Sequence, residues 1–188
     1  MPSYRAPVKD TLFVLQSVCK LDAHSNLPGF ADATPDVVQA VVEEGGKFCE
    51  GVLAPINHSG DQQGCTRHAD GSVSTPDGFK AAYDAFVEGG WGTLMAPSEY
   101  GGQGMPHIIG TVFQEFSASA NMAFAMYPGL NEGAQAAIMA VGSPELKERF
   151  LPNMVHGRWT GTMNLTEPQC GTDLGLIRTR AVPQADGS

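Results

Sequence analysis

Apolar positions along most of this chain recur at helical spacing. In residues 8–20, Leu12, Val14, Leu15 and Val18 form a short stripe after Pro7, and residues 25–30 (SNLPGF) read as loop. Thr34-Pro35-Asp36 is a helix start, with a hydroxyl at the cap, a proline in the first turn and an acid near the positive helix end. Behind it Val37, Val41, Phe48 and Val52 share one face, with Val38, Val42, Cys49 and Leu53 beside them. Gly45-Gly46 interrupts this helix at a cost of about 1 kcal/mol per glycine relative to alanine, which close packing against a neighbouring helix would explain. Residues 55–75 are polar and predict a long excursion. Thr75-Pro76-Asp77 repeats the start signal, and Phe79, Ala82, Tyr83, Phe86 and Val87 follow at helical spacing up to Gly89-Gly90. After a loop over 91–106, one helix presents Ile109, Val112, Phe113, Phe116 and Ala120. Another runs through Ala134, Ala137, Ile138 and Val141, and Ser143-Pro144-Glu145 opens the last.

Then the period changes. Residues 159–166 (WTGTMNLT) set Trp159, Gly161, Met163 and Leu165 on one side and polar residues on the other, the alternation of a half-buried strand. Residues 177–182 read as extended again. The domain boundary falls near His156-Gly157, giving an N-terminal extension over 1–33, a helical domain over 34–157 and the start of a β-domain over 158–188. Asp186-Gly187 is a hairpin-turn signal close to Ser188. An edge strand over 177–182 would then lack its partner, which suggests a truncated chain.

Composition narrows the function classes. The 188 residues are 42% hydrophobic and 16% charged, as expected of a globular core. A net charge of −9, with basic residues scattered, argues against nucleic acid or an anionic membrane as partner. Cys19, Cys49, Cys65 and Cys170 stand far apart with no CxxC, which favours reduced thiols in a cytoplasmic protein. The N-terminus lacks the layout of a signal peptide, and no apolar run has the length of a membrane span.

Read as residues alone, the chemical signals are weak. Gly101-Gly102-Gln103-Gly104 could cradle a phosphate, but no strand precedes it and no Gly-Lys-Ser/Thr completes it, so a tight turn is the simpler reading. His58, Cys65 and His68 match no standard zinc spacing. The stretch Met163-Asn164-Leu165-Thr166-Glu167-Pro168-Gln169-Cys170-Gly171-Thr172-Asp173 has a strand end, a proline turn and two hydroxyls that could meet a heterocycle edge and a pyrophosphate. On the residues alone an ordinary turn is the simpler reading.

Thr166-Glu167-Pro168-Gln169-Cys170-Gly171-Thr172-Asp173 resembles the Thr-Glu-Pro…Gly-Ser-Asp segment of the acyl-CoA dehydrogenases. Gly90-Trp91 with Pro97-Ser98-Glu99-Tyr100-Gly101-Gly102-Gln103-Gly104 resembles a second segment of that family, and residues 142–152 a third, in matching order and spacing. The N-terminal stretch, Tyr4-Arg5-Ala6-Pro7 through Asn26-Leu27-Pro28-Gly29-Phe30, is similar to a longer bacterial subgroup that includes 3-methylmercaptopropionyl-CoA dehydrogenases.

The resemblance implies a mainly α N-terminal domain, followed by the first strands of a middle β-domain and a C-terminal helical bundle. FAD is implied between the last two. Met163, Leu165 and Thr166 would approach the isoalloxazine, and Gly171 and Thr172 the pyrophosphate. Thr172 stands where serine is usual, while Gln169 and Cys170 replace smaller residues. Phe124, Tyr127 and Thr172 would meet the acyl substrate, although core packing explains the two aromatics as well. The implied reaction is α,β-desaturation of an acyl-CoA, with electron-transfer flavoprotein as acceptor and a homo-oligomeric enzyme. The base belongs to the C-terminal bundle, so no catalytic residue is assigned here, Glu167, Glu99 and Glu132 included. A chain without that bundle is expected to retain FAD weakly or not at all and to show no turnover. The alternative is a short, non-catalytic helical binding or assembly module of the same fold.

Overall fold

The computed structural model describes residues 4–186. Among the described residues seven α-helices carry the fold: α1 (Val8–Phe13), α2 (Pro35–Phe48), α3 (Ala54–Gln63), α4 (Phe79–Glu88), α5 (His107–Ala120), α6 (Met122–Val141) and α7 (Pro144–Val155). A two-stranded antiparallel ribbon, β1 (Thr66–Arg67) with β2 (Val73–Ser74), pairs Thr66 with Ser74 and Arg67 with Val73. No described helix is long and apolar enough to cross a membrane.

The polar stretch after residue 54 is more ordered than its composition predicts. A π-helical turn, Cys49–Leu53, carries α2 straight into α3, and Ala54 N–H donates to Cys49 O, five residues back. The wider turn accommodates Pro55, which has no N–H to give and would press on the carbonyl four residues before it in a regular α-helix. Only the hairpin beyond α3 is loop-like. Here His68 Nε2 lies 2.7 Å from Ser74 Oγ, and Asp70 accepts from the Ser72 amide. The described residues hold no cluster of three or more His, Cys, Asp or Glu that could bind a metal.

Helix α2 begins at Pro35 as its start signal predicts, but the Thr34 hydroxyl makes no capping bond. Its inward line, Val38 and Val42, continues into the π-helical turn as Cys49 and Leu53, while Val37 is exposed. Gly45 lets two aromatic rings approach: a Cβ there would lie 3.2 Å from the Phe113 ring of α5 and 3.5 Å from Trp91. Those two rings are stacked, 4.5 Å apart and 1° from parallel. Gly46 sits against Ala6 and Val8 of the N-terminal segment, which Glu50 also pins by accepting from Arg5 and from the Ala6 amide. Helix α4 starts at Phe79, later than the Thr75-Pro76-Asp77 signal suggests, because Gly78 enters with a positive φ and no side chain caps.

The core gathers Leu53, Phe86, Ile109, Phe113, Phe116 and Phe124 between α2, α4, α5 and α6. Asn121, fully buried between α5 and α6, is satisfied at both ends. Its Oδ1 accepts from Phe124 N at 3.1 Å, and its Nδ2 donates to Leu53 O at 3.2 Å. Helix α6 runs unbroken through Pro128. Helix α7 opens as predicted, with Ser143 accepting from the Leu146 amide.

Beyond α7 the alternating pattern does not become sheet. Residues 159–166 and 177–182 form no strand, and Glu167–Cys170 is an isolated bridge. Alternation fits a strand only when a neighbour receives its backbone groups, and no described segment lies alongside. The Asp186-Gly187 turn signal lies partly outside the described residues.

Candidate functional site

Side chains of α4 and α6 clamp the segment that leaves α7. The Tyr83 hydroxyl donates to Gly157 O at 3.0 Å, and the Tyr127 hydroxyl donates to Thr160 Oγ1 at 3.0 Å. Asn131, buried in α6, joins both sides of the junction: Nδ2 donates to Met154 O at 3.0 Å and Oδ1 accepts from Gly161 N at 2.9 Å. Gln135, one turn on, also points at Met154 O, at 3.5 Å. Gly161 admits this approach, since a Cβ there would lie 2.3 Å from that of Ala134. Beside the clamp is a cavity of about 260 Å³, whose wall includes Tyr83, Thr93, Tyr127, His156, Arg158 and Thr160.

The chain then reaches the turn carrying most of the candidate residues. Glu167 and Cys170 exchange backbone hydrogen bonds, N to O, at 2.9 and 3.1 Å. This closes the turn so that Thr166 and Gly171 meet: a Cβ on Gly171 would lie 3.3 Å from Thr166 Cγ2. Asp173 accepts from Gly175 N at 3.0 Å and ends the turn. Met163 is 65% exposed and Leu165 43%, leaving an apolar surface beside a cradle of small and hydroxyl residues. Thr166, Gly171 and Thr172 are exposed as well. A flat, partly polar ring system and a phosphate suit such a surface: apolar side chains for the ring, hydroxyls and backbone N–H groups for the polar atoms. Adding a side chain at residue 171 would crowd it.

Glu167 itself is committed. Its carboxylate accepts from Arg178 N at 3.0 Å and Thr179 N at 2.8 Å, and from the Thr179 hydroxyl and the Gln169 amide. These bonds, the Thr179 hydroxyl foremost, hold its pKa down at about 2. A carboxylate that acidic is a poor proton acceptor at neutral pH.

The other candidate residues divide. Phe124 belongs to the core at 4% exposure, its ring 5.9 Å from Phe86 and 6.4 Å from Phe79. Tyr127, one turn along α6, lies in the clamp and lines the cavity. The glycine loop is a tight turn rather than a phosphate cradle, because its amides are spent on nearby carbonyls: Gly102 on Pro97, Gln103 on Thr93, Gly104 on Ala96. Gly101 and Gly104 both take positive φ, and a Cβ on Gly102 would fall 1.9 Å from Ala96 O. A second cavity of about 400 Å³ between α5 and α6 contains Glu132. Burial raises the pKa of Glu132, against the opposing effects of the Gln114 amide that donates to it and of His107.

Sequence reasoning missed Asn131, Gln135 and Tyr83 as junction residues, and it missed what Glu167 binds. A legible signal existed for the first two: polar amides one helical turn apart in an apolar helix.

Residues 36–158 match the model of the acyl-CoA dehydrogenase N-terminal domain. The chain is 41% identical over 186 residues to 3-methylmercaptopropionyl-CoA dehydrogenase of Ruegeria pomeroyi, covering 99% of this chain and 32% of that protein. It is 34% identical over 172 residues to a butyryl-CoA dehydrogenase of Syntrophomonas wolfei, covering 90% and 27%. The fold matches that of a Bacillus anthracis acyl-CoA dehydrogenase solved with FAD, with a TM-score of 0.65 at 24% identity, over 81% of this chain and 24% of that one. The chain thus spans about a third or less of the relatives it matches.

Proposed function

Because this chain belongs to the acyl-CoA dehydrogenase family, we propose that it forms the N-terminal part of an FAD-dependent enzyme. That enzyme desaturates an acyl-CoA thioester between its α and β carbons, with 3-methylmercaptopropionyl-CoA as substrate. The observation that carries this reading is the identity of 41% over 186 residues to a dehydrogenase of that name. The organisation follows: a helical domain over 34–157, preceded by an extension and followed by the beginning of a β-domain.

FAD, when bound, supplies the acceptor for the hydride that leaves the β carbon. Met163 and Leu165 offer the apolar surface for its ring system and the Thr166 hydroxyl a polar contact at the ring edge. Gly171, lacking a side chain, lets backbone approach the pyrophosphate, and Thr172 brings a hydroxyl there and toward the thioester. Tyr127 faces the acyl group, backed from the core by Phe124. No residue of this chain is assigned as the base, which the family resemblance places in the C-terminal bundle; Glu167 has its carboxylate fully engaged. Electron-transfer flavoprotein is the proposed acceptor from a cytoplasmic, homo-oligomeric enzyme.

Flavin reduction by a panel of acyl-CoA thioesters tests this, on the protein at the full length its gene encodes. Bleaching of the flavin band is expected, fastest with the thioether substrate. Bound flavin that no acyl-CoA reduces would refute the reaction, and absence of flavin would favour a non-catalytic binding module.

A further inference from the structure

The carboxylate of Glu167 has two donors on each oxygen. Oε1 accepts from the amide and the hydroxyl of Thr179; Oε2 accepts from the Arg178 amide and from Gln169 Nε2. An ionised carboxylate has about four acceptor positions, so this one is saturated. Two of the four donors are backbone amides eleven and twelve residues further along the chain. Gln169 also reaches Leu176 O at 3.4 Å, drawing a third point of the same stretch inward. The side chain thus receives the N–H groups of two consecutive residues of an extended segment.

We propose that Glu167 is a positioning residue: it fastens Arg178 and Thr179 to the turn over 166–172 and so holds Thr166, Gly171 and Thr172 in one arrangement for FAD. This rests on the reading of that turn as the flavin-facing one. The role calls for a carboxylate in particular. Glutamine at 167 would keep one acceptor oxygen and aim an NH₂ group at donors, taking from at least one backbone N–H its carboxylate partner. The charge also persists across the working range. Its folded-state pKa lies below the ordinary value of 4.5, so the contribution is complete above that value and is lost as pH falls through about 2.

The test uses the full-length protein with FAD removed and rebound, as the unaltered chain and as Glu167→Gln, Thr179→Val and Thr179→Ser. Glu167→Gln is expected to weaken FAD binding by about tenfold or more, as loss of charge-assisted hydrogen bonds implies. It should also change the shape of the bound flavin's visible band. Thr179→Val, which removes one donor, should weaken binding by a smaller factor, and Thr179→Ser should stay within about twofold of the unaltered protein. The Thr179→Val effect should vanish in the Glu167→Gln background, since the two residues act through one contact. Thermal unfolding of the helical body should not move, which separates local positioning from a general loss of fold. Unchanged affinity and an unchanged band in Glu167→Gln would overturn the inference and leave the flavin reading standing. Failure of the unaltered protein to bind FAD would overturn that reading, and the inference with it.

Discussion

Helices α2 to α7 bury Leu53, Ile109, Phe116 and Leu151 almost completely, whereas the segment after them turns Met163, Leu165, Leu174, Leu176 and Val182 outward. The two regions contain similar apolar residues, so hydrophobicity does not separate them. What differs is how each backbone satisfies itself. A helix closes its own hydrogen bonds and can bury a face as soon as another helix offers one. An extended segment leaves its N–H and C=O groups open until a neighbour takes them. In the segment after α7 those groups go instead to side chains: Asn131 for Gly161, Tyr83 for Gly157, Glu167 for Arg178 and Thr179.

The largest expected effect breaks the helical body. Phe116, 1% exposed, lies in the shared core of α2, α4, α5 and α6. Phe116→Ala should cost about 3–5 kcal/mol in equilibrium urea unfolding, from lost burial and the cavity left behind. Met163→Ala, an equal class of truncation on an open surface, should stay within about 0.5 kcal/mol. Comparable losses at the two positions would mean that the outward segment is packed after all.

A middling effect is expected where the regions join. Asn131→Ala leaves Gly161 N without its partner and removes one donor from Met154 O, which the Gly157 amide and Gln135 still reach, at a cost of about 1–3 kcal/mol. Amide exchange at Gly161 should accelerate at the same time. Asn131→Asp is the sharper variant, since a carboxylate can still accept from Gly161 but cannot donate to Met154. If Gly161 stayed protected in both variants, the clamp would have to be assigned to the tyrosines.

Legibility in the sequence follows the same division. Helical periodicity marked α2, α4, α5, α6 and α7, because a 3.6-residue repeat of apolar side chains is both the cause of their packing and its written trace. The polar composition of residues 55–75 misled, since a π-helical turn carries the helix past Pro55 and α3 continues to Gln63. Alternation over 159–166 misled for the opposite reason: it records a preference for a strand, and a strand is a property of two segments. The Thr166–Thr172 stretch stood out as a candidate by its hydroxyls and its turn, and the structure brings Thr166 and Gly171 together. Glu167 could be read only as an acid in a motif, because its partners lie eleven and twelve residues away in a stretch whose spacing gives no sign of them.

The smallest expected effect sits inside the helical body, in a cavity whose wall includes a half-buried acid. Glu132 lines the space between α5 and α6, and burial raises its pKa above the ordinary 4.5. A raised carboxyl pKa means that the folded chain holds this proton more tightly than the unfolded chain does. Glu132 therefore favours folding least when it is ionised, and its contribution to stability falls as pH rises from the ordinary value through the folded one. Glu132→Gln removes that dependence while keeping size and an amide that can pair with Gln114. The measurement is the difference in unfolding midpoint between the two proteins at a series of pH values. The variant should gain on the unaltered protein as pH rises above 4.5 and level off once Glu132 is ionised in both states. A difference that runs the other way would mean that Gln114 and His107 outweigh burial, so that this acid, like Glu167, is held in its charged form by its partners.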